Sequence, residues 1–535
     1  MGAPDPDGRS TAPSARVEAR WSTLTFAVNK VITLAATVAL ARLLAPADFG
    51  LVMLAFVAIN VLGLFGDLGL GATLVVRQDL DRRGLGTALS LLLLTGLFLA
   101  LLLVAGAPLL SAAFDQPRLT GVVRALAPMA LLGSFSWFYR WLLQRDVRFR
   151  DRFFGFFAQS VAYAVVGVGA AALGAGVWSI VLGHLAGQVA MAVVFLAIAG
   201  PLRPRFDVAI ARSLLRTSRG FLLQNAASLL QEHADYVAVG RVLGAAPLGL
   251  YSMAYRLSEL PYLAVADPVT KVTFSAFSRG RARGDDIRDR YLTSLRLVAL
   301  VTCPIGILLS AVAVPLTDVV YGPKWLPATA ALAALGLWGA VKCVQTAIAW
   351  FFNSMGGAGV TGVVAMVVLV LQVPFLFLAA EWAGIGGVGW VLLAGVTLSS
   401  VTLVACVHRR AAVSLGAHVR ALWPVAVSGA ATWVAARVVA TWATSPPLLG
   451  LAASTAVGVG VYVGLISLLA PGSVPMVLGL LRRTPARGPA APTAEPPRAT
   501  DASRGPSAPD AGAPAERDRS GAPAGAPPPP TRRSS

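Results

Sequence analysis

From Trp21 onward the chain alternates long apolar runs with short polar breaks. The runs fall at roughly 21–43, 49–75, 86–112, 119–143, 153–174, 177–200, 217–240, 247–274, 292–319, 327–354, 361–381, 386–407, 422–442 and 448–470. Each is near or above the ~20 residues that a helix needs to cross the hydrocarbon layer. The pattern therefore predicts an all-α integral membrane protein of about fourteen transmembrane helices. Residues 1–20 are polar, and the first run is long enough to span and stay, so it reads as an anchor rather than a cleaved leader. After Arg483 the composition turns to Pro, Ala, Gly, Ser and Arg and ends in PPPPTRRSS, which is expected to be a disordered tail over 483–535.

The middle of the first helical pair, ARLLAPADFGLVMLAF, is echoed about two hundred residues later by GRVLGAAPLGLYSMAY. One offset puts Arg42 on Arg241, Leu44 on Leu243, Ala47 on Ala246, Gly50 on Gly249, Leu51 on Leu250 and Ala55 on Ala254. A direct repeat of this kind predicts two similar helical bundles side by side, a common way to build a transporter.

Composition sharpens the class. Hydrophobic residues make up 56 % of the chain and charged residues 13 %, against about 25 % charged in a soluble domain. Mean hydropathy is +0.71. A net charge of +19 in a soluble protein would suggest nucleic acid, but here the arginines lie between apolar runs and orient helices. Alternate loops hold Arg77, Arg82 and Arg83; Arg140 to Arg152; Arg203 to Arg219; Arg279 to Arg290; and Arg409, Arg410 and Arg420. The opposite turns, LGAG at 173–176, GAAP at 244–247 and GIGG at 384–387, are short and bare. The positive-inside rule then puts both termini in the cytoplasm. Cys303, Cys343 and Cys406 fall inside apolar spans with neither metal-ligand nor disulfide spacing, so they read as small core residues. No nucleotide loop, nucleophile elbow or metal-protease motif occurs, so no catalytic residue, cofactor or metal is expected.

Ionisable groups inside spans line a cavity or pair with each other by default. Thr23, Lys30, Thr33 and Thr37 form a polar stripe on the first span. Lys30, about 13 Å into that helix, either faces a cavity or snorkels to the interface. The seventh span answers with Asn225, Ser228, Glu232 and Asp235, with His233 beside them. These either face the lysine stripe across a cavity or lie wet near the outer end. On the eighth span Arg256 and Glu259 can neutralise each other on one turn, and Pro261 loosens the helix below them. Lys342 with Gln345, Arg124, and Asn60 with Asp67 are further cavity candidates; Asp67 is equally a cap in GDLGLG. Only four lysines (Lys30, Lys271, Lys324, Lys342) stand among forty arginines. A desolvated lysine can lose its proton and an arginine cannot, which makes Lys30 and Lys342 candidates for a titratable anion site.

The stretch LARLLAPADFGLVMLAFVAINVLGLFGDLGLGATLVVRQDL (40–80) resembles the N-terminal signature of the Wzx-type oligosaccharide flippases. Within the multidrug/oligosaccharidyl-lipid/polysaccharide superfamily, the closer likeness is to the capsule and exopolysaccharide exporter branch. Residues 225–279, beginning NAASLLQEHADYVAVGRVLG, resemble that branch's central motif, and VVYGPKWLPA (319–328) its loop after the ninth span. The resemblance implies two six-helix lobes, 21–212 and 213–410, related by a pseudo-two-fold along the membrane normal, with two extra helices over 411–482. It implies a multi-pass protein of a bacterial plasma membrane that moves a polyprenyl-diphosphate-linked oligosaccharide by alternating access, without catalysis. Lys30, Arg124 and Lys342 are then the positions expected to hold the diphosphate, with Gln345 and Asn225 as further substrate-binding positions in the cavity. Glu232, Asp235, Arg256, Glu259 and Asp67 become coupling or gating candidates. Membrane lipids, and a polymerase and glycosyltransferases of the same pathway, are the implied partners, with no nucleic acid. A multidrug or cation antiporter of the same fold competes, as does a lipid II flippase. From a different class, a membrane glycan polymerase or ligase needs a large outer loop that this chain does not offer.

Overall fold

The computed structural model describes residues 15–63, 70–77, 79–146, 148–266, 269, 273, 277, 286–442 and 446–472. Among these every regular element is a helix. The first lobe comprises α1 (Ala15–Leu43), α2 (Pro46–Gly63), the short α3 (Leu70–Val76), α4 (Arg82–Ala113), α5 (Leu119–Leu126), α6 (Pro128–Arg145), α7 (Phe149–Ala172) and α8 (Val177–Ala199). The second begins with α9 (Val208–Val242) and α10 (Ala245–Pro261). It continues through α11 (Arg288–Ala311), α12 (Ala313–Val320), a 3-10 turn (Pro323–Ala328) and α13 (Thr329–Ser354). As Pro261 leads one to expect, α10 gives way to a π turn at Tyr262–Ala266.

Next comes one 54-residue helical run, Ala358–Ala411. At Gly384 φ is 60° and ψ −153°, and the run doubles back. Gln372 Nε2 donates to the Val391 carbonyl at 3.0 Å, two residues that a straight helix would hold about 28 Å apart. Its arms are therefore two antiparallel helices, α14 (358–383) and α15 (385–411), joined at the bare GIGG turn. The last described helices are α16 (Leu415–Trp442) and α17 (Pro447–Leu469). Ten of the described helical stretches are long and apolar enough to cross a membrane, and each predicted run overlaps helix among the described residues.

The loops sort to two ends. At one, Arg77 bonds Ser213 (3.0 Å) and Arg145 the Leu80 carbonyl (3.2 Å), while Arg83 pairs with Asp207 (2.9 Å). The arginine-rich loops thus meet each other. Hydrogen bonds from Arg77 hold the Asp79 carboxyl below the usual carboxylate range. At the opposite end the bare turns converge around Pro46, Asp48, Gly176, Gly244 and Gly322.

The cores follow the same division. One large core draws on both lobes, with Leu40, Leu54, Val123 and Ile180 from the first and Leu248, Tyr251, Trp325 and Leu335 from the second. It occupies the bare-turn half. The arginine half holds two further cores, one around Leu74, Leu89, Phe138 and Phe195, which also takes in Leu214 from the start of α9, the other around Tyr291, Leu295, Phe351 and Leu403. Apart from this seat for the start of α9, the core shared by the two lobes lies at the bare-turn end.

The fusion is built on the sequence repeat. A methyl added to Gly50 would overlap the carbonyl of Ala245, and one added to Gly249 would overlap the carbonyl of Pro46. Ala245 and Gly249 are the repeat equivalents of Pro46 and Gly50, so each half presents the same two positions to the other. That reciprocity is the signature of a two-fold contact, and it needs glycine because the backbones touch. The terminal pair rides on α11: Trp433 Nε1 donates to Ser310 Oγ (3.1 Å) and Tyr462 to the Leu300 carbonyl (3.1 Å).

Candidate functional site

Two cavities carry the polar groups. The first, of about 430 Å³, lies in the arginine half between α1 and α7. From α1 come Thr25, Asn29, Lys30 and Thr33; from α7 come Phe149, Arg152, Phe156, Gln159 and Ser160. Those α7 positions recur at helical spacing, so one face of the helix supplies them all. Internal bonds fix the lining. Asn29 accepts from the Ser160 hydroxyl (2.6 Å) and donates to the Thr25 carbonyl (2.7 Å). Arg152 donates to Gln144 (2.8 Å), with its guanidinium over the rings of Phe149 and Phe156. Lys30 is exposed to this cavity. Two cations, two amides and three hydroxyls thus face a pocket of the size and polarity that suits an anion.

The second cavity, about 310 Å³, lies between the lobes. Met53, Phe56 and Asn60 of α2 face Glu232, His233 and Tyr236 of α9 and Tyr255, Arg256 and Glu259 of α10. It starts only a few residues in from the Gly50–Gly249 contact, some 5–15 Å by helical rise, so the fused end is its floor. A smaller cavity of about 190 Å³ adjoins it. Ile59, Leu62, Leu99 and Leu103 make that one apolar, and it shares Phe56 and Asn60 with the inter-lobe cavity. Its Gln188 accepts from Gln159 of the cationic pocket at 2.9 Å. The three form one series running from the arginine end to the fused end.

Several expected positions fall elsewhere. Lys342 is paired with Glu259 at 3.1 Å and sits over the rings of Trp338 (4.5 Å) and Tyr262 (4.7 Å). Its charge is matched inside the second lobe, and Glu259 turns to it rather than to Arg256. Gln345 donates to Ser399 of α15 (2.9 Å), inside the helix packing. Arg124, on α5, bonds the Val104 carbonyl of α4 and lines neither polar cavity. The α9 stripe divides: Glu232 is exposed in the inter-lobe cavity, whereas Asp235 is buried behind it. There Asp235 accepts from the Tyr251 hydroxyl (2.7 Å) and the Tyr236 amide (2.9 Å). Asp67, and the side chain of Asn225, lie outside the described residues. Arg152 is the group that sequence reasoning missed. In the sequence it stands as one more arginine of an orienting loop, although its spacing with Phe149, Phe156 and Gln159 marks a polar helix face.

Residues 39–330 match the model of a family described as polysaccharide biosynthesis protein. The chain belongs to that family. Among curated relatives, the teichuronic acid biosynthesis protein TuaB of Bacillus subtilis (strain 168) is 26 % identical over 333 residues, 61 % of this chain and 68 % of that one. The succinoglycan biosynthesis transport protein ExoT of Rhizobium meliloti (strain 1021) is 27 % identical over 351 residues, 63 % and 68 % of the two chains. The lipopolysaccharide biosynthesis protein WzxC of Escherichia coli (strain K12) is 21 % identical over 377 residues, covering 69 % and 76 %. Among solved structures, the lipid II flippase MurJ in an inward closed conformation superposes with a TM-score of 0.69 at 14 % identity, covering 86 % of this chain and all of that one. An inward-facing multidrug MATE transporter gives 0.58 at 15 % identity, over 71 % and 94 %. The structural likenesses establish the fold, that of an all-helical, multi-pass membrane protein.

Proposed function

We propose that this protein carries a polyprenyl-diphosphate-linked oligosaccharide from the inner to the outer leaflet of a bacterial plasma membrane by alternating access. The observation that carries the reading is the cavity series, cationic at one end and closed by the two-fold glycine contact at the other. On this reading the chain crosses the membrane fourteen times with both termini in the cytoplasm, and the conformation faces inward. The diphosphate sits in the pocket of Lys30 and Arg152, near the side where the lipid-linked glycan is made. The glycan extends toward Tyr255, Glu232 and Arg256, where hydroxyls find charged partners and a sugar face finds an aromatic one.

The physics favours carriage over chemistry. A glycan cannot cross hydrocarbon unaided, because each unpaired hydroxyl costs several kcal/mol there. A polar cavity removes that barrier while the prenyl chain stays in lipid. Rocking of two lobes about their fused end then presents the cavity to each face in turn.

The test is deletion of the gene followed by complementation with Lys30→Gln, Arg152→Gln and the double variant. Inner-leaflet lipid-linked oligosaccharide and surface polysaccharide are both measured. Loss of one charge-assisted contact of about 1.5–3 kcal/mol corresponds to roughly a 10- to 100-fold loss of export. Loss of surface polysaccharide without inner-leaflet accumulation would point to polymerisation and defeat the proposal. The acidic, aromatic inter-lobe cavity also suits an organic cation, and a deletion strain sensitised to cationic drugs with its surface glycan intact would favour that second reading.

A further inference from the structure

The C-terminus of a helix leaves carbonyls without partners inside the helix. At the C-terminus of α1 those partners come from the other lobe. Lys324 Nζ, on the 3-10 turn before α13, donates to the carbonyls of Arg42 (2.9 Å) and Leu44 (2.6 Å). Trp325 Nε1 donates to the carbonyl of Ala41 (2.9 Å). The Trp325 ring is fully buried and meets Phe49 edge-on, centroids 5.3 Å apart. The arrangement is returned in kind. Arg42 reaches across to the last carbonyls of α12, bonding Val320 through Nε (3.1 Å) and Val319 through Nη2. Each lobe thus caps a helix of the other with a cation, the sign that a helix C-terminus favours.

We propose that Arg42, Lys324 and Trp325 form a latch that holds the outer side of the transporter closed and must release before the cavity can open outward. It rests on the alternating-access reading and on the orientation given by the arginine loops. Parting the lobes at this end strips both helix ends of their caps and leaves a buried tryptophan N–H to find water. These contacts therefore stabilise the closed state selectively. The glycine contact beside them supplies fit but no polar bonds of its own. Among the described residues Arg241, the repeat equivalent of Arg42, forms no matching cap, so the latch is single and one substitution suffices to weaken it.

The experiment reads opening directly and needs no substrate. In a parent carrying Cys406→Ser, with Cys303 and Cys343 buried, Asn60→Cys reports on the inter-lobe cavity. A membrane-impermeant maleimide is applied to intact cells and to inverted vesicles. We expect Lys324→Met and Trp325→Phe each to raise outside labelling several-fold and to lower labelling in inverted vesicles. Lys324→Arg, which keeps a cationic donor, should stay near the parent. Size-exclusion profiles of each variant confirm folding, and Trp325→Phe preserves the packed ring. Unchanged labelling in both folded variants would overturn the latch. Arg118→Cys, at the exposed turn on the same end, tests orientation separately. If it labels only in inverted vesicles, this end is cytoplasmic and an outer latch is overturned, whatever the two variants do.

Discussion

Gly249→Ala isolates the fused end better than any charge change. The added carbon would lie inside the Pro46 carbonyl, whereas carbon and carbonyl oxygen ordinarily touch at about 3.3 Å or more. One helix must therefore move by more than about 1 Å from the other. No flexible side chain can give way, because the obstacle is backbone. Overpacking of this kind costs roughly 1–3 kcal/mol. The clash exists only while the lobes are closed at this end, so the penalty acts on one conformation alone. It becomes a roughly 5- to 150-fold shift toward the outward-open population. Spin labels at the exposed Leu173 and Trp382, close to bare turns of the two lobes, straddle them, and pulsed electron resonance would show the longer-distance population growing. Gly50→Ala, which meets Ala245 in the equivalent way, must shift the distribution in the same direction. Gly169→Ala, which meets nothing within 4 Å, must not. Unchanged distances in both contact variants, or shifts of opposite sign, would refute the two-fold contact as the closing surface.

Gly384→Ala tests backbone alone: the position is open but φ is 60° and ψ −153°, a region essentially reserved for glycine, so roughly 1–3 kcal/mol of stability is lost and the melting temperature falls while transport persists. Glu259→Gln strands the Lys342 ammonium against two rings; Lys342→Met added to it should recover part of the lost thermal stability, and strictly additive effects would deny the coupling. Tyr291→Phe removes the buried hydroxyl that bonds His418 Nε2 at 3.0 Å. It should lower stability by about 1 kcal/mol and loosen α16, seen as faster protease cleavage in the 411–415 segment.

Much of the fold was legible because the bilayer leaves so few options. A run of twenty apolar residues flanked by arginines has one stable arrangement, and tight turns such as GIGG announced themselves by composition. The offset that pairs Gly50 with Gly249 even pointed to the residues at the two-fold contact. The site was less legible because a charge in a sequence has no visible partner. Lys342 looked like a lone cation until the fold brought Glu259, 83 residues away in the chain, against it. Asp235 and Glu232 sit one turn apart, yet only one faces the cavity, since Tyr251 of the next helix draws the other inward. Arg152 was hidden for the opposite reason: the loop it borders already had a use for arginines. The latch was missed because Arg42 and Lys324 act through carbonyls, which no side-chain pattern reveals.

The way charge is divided between the lobes bears on how a two-lobe carrier can turn over. An anion gripped by cations from both lobes would bridge them, and its binding energy would hold the cavity in a single geometry. In this chain Lys30 and Arg152 belong to the same lobe, and the second lobe's Lys342 is neutralised by Glu259. On the proposed reading a bound diphosphate therefore travels with the first lobe while the second moves past it. The diphosphate's part of the binding free energy is then similar in the inward and outward conformations, and an interaction of equal strength in two states traps neither. The equilibrium is left to contacts that differ between the states, namely the glycan's contacts with α9 and α10, the glycine surface and the caps beside it. Glu259→Gln tests this logic as well as the ion pair. With Lys342 uncancelled, two lobes would share the anion, and export should slow even as substrate binding tightens.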